Sequence, residues 1–183
     1  FFRTMATTTH DYLHKIEALV ILDNEGKRVF SKYYTPTYNT FTKQCAFEKT
    51  LFNKTSAKKD SLAASESGDI AVFDGHTVVF RFEEEVYFYV VGPADENEVV
   101  ILQILSCFHD TLSQLLRNNL ERKSLLESYE LMILTLDEMI DDGIILETNS
   151  ANVVKEVQPH SSGDRDTPLT ALHTMAKIVK QNL

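Results

Sequence analysis

Apolar residues run without a break from Ala18 to Leu22, and the turn-forming tetrapeptide Asp23-Asn24-Glu25-Gly26 follows at once. A strand apolar on both sides must be covered on both faces, so 18–22 belongs inside a sheet with helices above and below. The next run, 28–34, alternates charged with aromatic or β-branched residues, as a strand nearer an edge does. The two predict a hairpin. Past a loop at 35–40 that holds Pro36, residues 41–56 predict a helix. Phe41, Cys45, Phe47, Leu51 and Phe52 fall there within an arc of about 160°, although Glu48 falls inside the same arc.

Residues 58–69 are small and polar and predict an exposed loop. Three short strands follow at 70–73, 77–82 and 86–91. Asp74-Gly75-His76 turns the first pair, the glutamates at 83–85 separate the second, and Gly92-Pro93 ends the run. Acids at 95, 96 and 98 open a helix where its dipole favours them. Ile101, Ile104, Leu105, Phe108, Leu112, Leu115 and Leu116 give that helix one wide apolar face; Val99, Val100 and Leu102 lie off it.

Asn118-Asn119 breaks the pattern, and the next helix is the most regular in the chain. Leu125, Tyr129, Met132, Leu136 and Met139 mark its core stripe, with Leu131 and Leu134 on the other side. Asp141-Asp142-Gly143 predicts its end, with Gly143 as the C-cap, although two acids there oppose the dipole. A short extended piece at 144–147, a short helix at 151–157 and a linker-like stretch at 158–168 come next. Leu169, Leu172, Met175 and Val179 suggest a last amphipathic helix.

The order ββ-α-βββ-α-α plus a tail predicts an α/β (α+β) domain. It has a five-stranded, mainly antiparallel sheet, one helix on one face and two on the other, and a C-terminal helical tail. The organisation is an N-terminal extension at 1–11, a domain at 12–157, and a linker and helix at 158–183. Met5 reads as the natural start, with residues 1–4 a remnant ahead of it.

A length of 183 residues fits one domain plus a tail. The formal net charge of −9 argues against nucleic acid and against direct electrostatic binding to anionic lipid; it reads either as a solubility feature or as complementing a basic protein partner. No apolar run approaches the ~18–20 residues of a membrane span, and the first residues are too polar for a signal peptide. Cys45 and Cys107 form no CxxC pair, which excludes a disulfide framework or zinc site and points to a reducing cytosol.

Candidate chemistry is sparse. There is no GxSxG, no HExxH and no Gly-rich phosphate loop. The acidic runs at 83–85 and 95–98 lack the alternating donors and Gly of a calcium loop. The histidines are scattered, and His76, two residues from Asp74, reads as turn chemistry. The expectation is no enzymatic activity, no metal and no cofactor. What remains is apolar surplus. Val99, Val100, Leu102, Leu131 and Leu134 do not fit single core-facing stripes, and they are the candidate interface for a permanent partner; the alternative is helices packed in two layers that bury them internally.

The segments LVILDNEGKRVFSKYY (19–34), AFEKTLFNKT (46–55), the run 86–116 and LDEMIDDGIILET (136–148) closely resemble the zeta subunits of coatomer, the COPI vesicle coat. The likeness covers about residues 14–157. It implies a longin-like fold in the small-chain adaptor superfamily and a non-catalytic subunit that pairs with the N-terminal solenoid of the coatomer gamma subunit. It further implies other coatomer subunits as neighbours and an indirect link to an Arf-type small GTPase. The implied location is the cytosolic side of Golgi membranes, in Golgi-to-ER and intra-Golgi transport. Another longin-type trafficking subunit is the second reading. In related clathrin-adaptor small chains a groove takes the two leucines of an acidic-dileucine signal. Its lining positions align near Val86, His109, Asn118, Asn119 and Ser124, of which only Val86 is apolar. The chain is therefore expected not to bind such signals, because polar groups under an apolar ligand lose their partners.

Overall fold

Apolar runs joined by short turns build a five-stranded antiparallel sheet. The computed structural model describes residues 14–58, 68–83 and 85–161. The strands are β1 (Ala18–Asp23), β2 (Arg28–Tyr33), β3 (Asp69–Phe73), β4 (His76–Glu83) and β5 (Val86–Pro93). The helices are α1 (Phe41–Thr55), α2 (Glu98–Leu115), α3 (Arg122–Glu127), α4 (Tyr129–Met139) and α5 (Ser150–Ser161). A two-stranded ribbon, β6 (Ile140–Asp141) and β7 (Ile144–Ile145), sits between the last two helices.

The sheet order is β2-β1-β5-β4-β3, and every neighbouring pair is antiparallel. β1 lies inside the sheet and β2 at its edge, as their patterns predict. All six residues of β1 are buried. Leu19 and Ile21 face the core beneath α2 and α4, whereas Ala18, Val20 and Leu22 face the core beneath α1 with Phe47 and Leu51. One helix thus covers one face. On the other, α2 and α4 are joined by the short α3 and by α5, whose Val153 and Val157 are buried.

The β1–β2 turn is tied by Asp23, whose Oδ1 accepts from the backbone N–H of Glu25 at 2.9 Å and of Lys27 at 2.8 Å. Gly26 is required there for two reasons. Its φ is +77°, and a Cβ would stand 2.7 Å from the ring of Phe52 on α1. Asp74 and Gly75, with φ of 52° and 80°, form the mirror-image turn that suits a two-residue β3–β4 hairpin.

Three expectations change. The regular helix expected beyond Asn119 is two helices, broken at Ser128, where φ is −106° and ψ 29°. The halves pack on different elements: α3 against β2, α4 against α2 and α5. Tyr129 begins α4 with its ring 5.1 Å from that of Phe30. A periodicity count does not register this break, because apolar spacing continues across it. Second, Gly143 is not a helix C-cap. Asp142 (φ 46°) and Gly143 (φ 84°) are the central residues of the β6–β7 hairpin, and α4 has already ended at Met139. The two acids therefore do not oppose the helix dipole. Third, the helix expected at 151–157 runs on to Ser161, into the stretch read as linker. Most of the expected loop at 58–69 and the expected last helix at 169–179 lie outside the described residues.

Candidate partner interface

Edge strand β3 reads Asp-Ile-Ala-Val-Phe, apolar toward both faces. Ala71 and Phe73 pack into the core under α1. Ile70 and Val72 pair with Val79 and Thr77 of β4 and point to the opposite face, where α2 lies. They are exposed, 41% and 68% respectively. The cover stops short of them because α2 sits over β4 and β5.

α2 presents apolar residues to the same region. Ile101 lies against Gly92, so close that a Cβ on the glycine would stand 2.8 Å from it. Gly92 pairs with Thr77, and Thr77 with Val72, so the first turns of α2 stand level with Val72. Gln103 bonds Thr148 at 3.1 Å and marks the flank of α2 that faces α5. His109, with Nε2 3.3 Å from Glu83 Oε2 on β4, marks the other flank. A step of about 100° per residue sets Leu102 beside His109 on that second flank, toward β3, whereas Val99 falls between the two flanks on the outer side of α2. Val99 is 63% exposed and Leu102 half-buried. Ile70 and Val72 on the edge strand are thus left uncovered, with Leu102 on the flank of α2 that faces them and Val99 exposed on its outer side.

The five residues singled out from the sequence are not gathered at one place. Leu102 lies on the flank of α2 toward β3, and Val99 on its outer side. Val100 is half-buried on the α5 side of α2. Leu131 and Leu134 are half-buried, and with Leu102 they pack against the core on this face. Ile70 and Val72 escaped the sequence reading, although the signal was present: β3 is apolar at alternate positions of both faces, as β1 is, yet it is an edge strand.

Titratable clusters offer the other kind of site. His76 Nδ1 stands 2.6 Å from Glu17 Oε2, and its Nε2 stands 2.7 Å from the Tyr38 hydroxyl. The tautomer with its proton on Nδ1 satisfies both bonds, with the tyrosine donating to Nε2. A tyrosine, a base and an orienting carboxylate resemble a nucleophile chain in outline. Burial, and then the charges of Glu17 and Asp74, push the Tyr38 phenol up, which keeps it protonated and unreactive. The ring of Tyr38 also stacks on Phe47, 4.4 Å between centroids, so the chain of bonds is a strut between loop and sheet.

Among the described residues no group of His, Cys, Asp or Glu is placed to hold a metal. No described helix is long and apolar enough to cross a membrane. Cys107 is a buried thiol that burial pushes up to about 11, the state of an inert packing group. A groove of about 560 Å³ lined by Lys32, Tyr34, Pro36, Asp137 and Asp142 is open, and the Lys32–Asp137 ion pair at 2.7 Å bridges two of its lining residues.

The family description "Clathrin adaptor complex small chain" matches residues 15–163. Coatomer subunit zeta-1 of Homo sapiens is 43% identical over 168 residues, spanning 92% of this chain and 88% of the relative. The chain belongs to the coatomer zeta family of adaptor small chains. Coatomer subunit zeta-1 of Oryza sativa subsp. japonica is 39% identical over 145 residues, 79% of this chain and 80% of that one. A chain in a homology model of the full-length AP-3 complex, in a stretched open conformation, has the same fold. Its TM-score is 0.62 at 20% identity, covering 88% of this chain and 98% of that chain. The chain thus has the longin-like fold of adaptor small chains.

Proposed function

We propose that the chain is a non-catalytic subunit of the COPI vesicle coat that pairs permanently with the coatomer gamma subunit. The observation that carries the reading is the uncovered apolar edge of Ile70 and Val72, with exposed Val99 on the neighbouring helix, on a member of the coatomer zeta family. An edge strand that is apolar and uncovered is an association surface unless something blocks it. The N-terminal solenoid of gamma would cover it, and Val100, Leu131 and Leu134 would be separate candidate contacts elsewhere on the helical layer. The pair would sit on the cytosolic side of Golgi membranes and support Golgi-to-ER and intra-Golgi transport. An Arf-type GTPase would recruit it through the large subunits.

The test is expression of the chain alone and together with the gamma solenoid. Alone it should self-associate or fall out of solution, and co-expression should cure this. Val72→Glu combined with Val99→Glu should abolish co-purification with gamma while leaving the circular dichroism spectrum intact. A well-behaved monomer with no affinity for gamma would sink the proposal.

A further inference from the structure

The net charge of −9 is an average over two unlike faces. Residues 94–161, which build the layer of α2 to α5, hold thirteen acids and four bases, leaving −9 from that segment alone. The opposite face is covered by α1, which carries Lys43, Lys49 and Lys54 and a single acid, Glu48. Glu48 does not reach the surface. It is buried at 4% exposure, with Arg28 Nη2 2.6 Å and the Tyr33 hydroxyl 2.9 Å from its Oε1.

The solvent arc of α1 therefore consists of Thr42, Lys43, Ala46, Lys49, Asn53 and Lys54, all exposed and none acidic. None of the three lysines belongs to an ion pair among the described residues. Lys54 is held with its ammonium 4.8 Å over the ring of Phe73, and Lys43 is held by Asn39 Oδ1 at 3.3 Å. Lys43 and Lys54 are eleven residues apart, roughly 16 Å along the axis. Small side chains lie between them, so a flat surface can approach closely. Phe41, on the other side of the helix, stands 70% exposed with its ring beneath Arg28.

We infer that the outer face of α1 docks on an anionic lipid surface. Three separated ammonium groups with no pocket suit a diffuse field of phosphate headgroups; bidentate recognition of a carboxylate motif calls for arginine forks instead. The acidic layer then faces away from the bilayer, which removes the repulsion that a net charge of −9 would otherwise impose. The surface is independent of the apolar edge at β3, so it exists whether or not the gamma subunit is the partner.

Each lysine near an anionic leaflet contributes about fivefold in affinity, so three together give about 100-fold over a neutral one. The experiment is flotation of the chain, alone or held by its large partner, with vesicles of phosphatidylcholine alone or with about a third phosphatidylserine. Binding should require phosphatidylserine and fall steeply with added salt. Lys43→Glu, Lys49→Glu and Lys54→Glu together should abolish it. Lys123→Glu with Lys155→Glu, on the acidic side, should leave it intact. Equal binding to neutral vesicles, no loss in the triple variant, or capture by soluble poly-glutamate but not by vesicles would each overturn the inference. Failure here with gamma binding intact leaves the coat reading standing.

Discussion

Glu17 and His76 are 59 positions apart in the chain, yet Glu17 Oε2 lies 2.6 Å from His76 Nδ1. The contact ties the start of β1 to the start of β4, across the intervening strand β5. The second ring nitrogen, bonded to Tyr38, extends the tie to the loop before α1. His76→Ala strands a carboxylate and a phenol at once. It should lower stability by about 1–3 kcal/mol, read as a fall in the urea midpoint with an unchanged m value. A variant as stable as the parent would show that the strut contributes nothing.

Glu48 anchors α1 on β2. Its carboxylate is buried, with Arg28 Nε donating at 3.0 Å and the Tyr33 hydroxyl at 2.9 Å. Burial, and then the Glu48 charge, push the Tyr33 phenol far up, so it stays a donor. Arg28→Ala leaves that carboxylate buried without its cation and should cost about 3–5 kcal/mol. Arg28→Met with Glu48→Leu should recover most of the loss, because an apolar pair needs no charge compensation there. Thermal unfolding of the two variants decides it; equal losses would mean that lost packing, not the stranded charge, dominates.

The acid limb of stability should report Glu96. Burial pushes this carboxyl up, but bonds from Lys15 N–H at 2.9 Å, His14 Nδ1 at 2.8 Å and Asn97 N–H at 2.9 Å outweigh it. The net result holds Glu96 below its ordinary 4.5. A lowered carboxyl stabilises the fold above its ordinary value, and that contribution is lost as pH falls through the lowered one. Glu96→Gln should therefore reduce stability at neutral pH and flatten its decline below about pH 4.5. An unchanged acid slope would argue against the assignment.

Dileucine peptides should not bind at the positions that align with the adaptor groove. Val86 and His109 are buried, and Asn118 and Asn119 are exposed at the end of α2. The His109 ring has Glu83 3.3 Å from its Nε2 and Asp110 3.2 Å from its Nδ1. A leucine seated there would desolvate those charged groups without partners. Calorimetry of the chain with its large partner should detect no binding. Affinity that disappears on changing Val86 would overturn this.

The Asp-Gly turns at 74–75 and the β1–β2 hairpin were legible because turn chemistry is local: a positive φ demands Gly or Asp wherever the chain goes next. The break at Ser128 was not legible, because it depends on which element each half packs against. Ile70 and Val72 illustrate the same limit. Their alternation predicts a strand, but only the pairing order makes that strand an edge.

The residues alone determined the order of the five main strands and the helices between them, the antiparallel hairpins, the two-sided burial of β1 and the family. Each of these follows from period, local sterics or motif. Tertiary structure decided that β3 is left uncovered and that Glu17 meets His76. It also decided that the acids gather on one face while the lysines of α1 hold the other. Those outcomes depend on which distant segments become neighbours, and local periodicity carries no information about that.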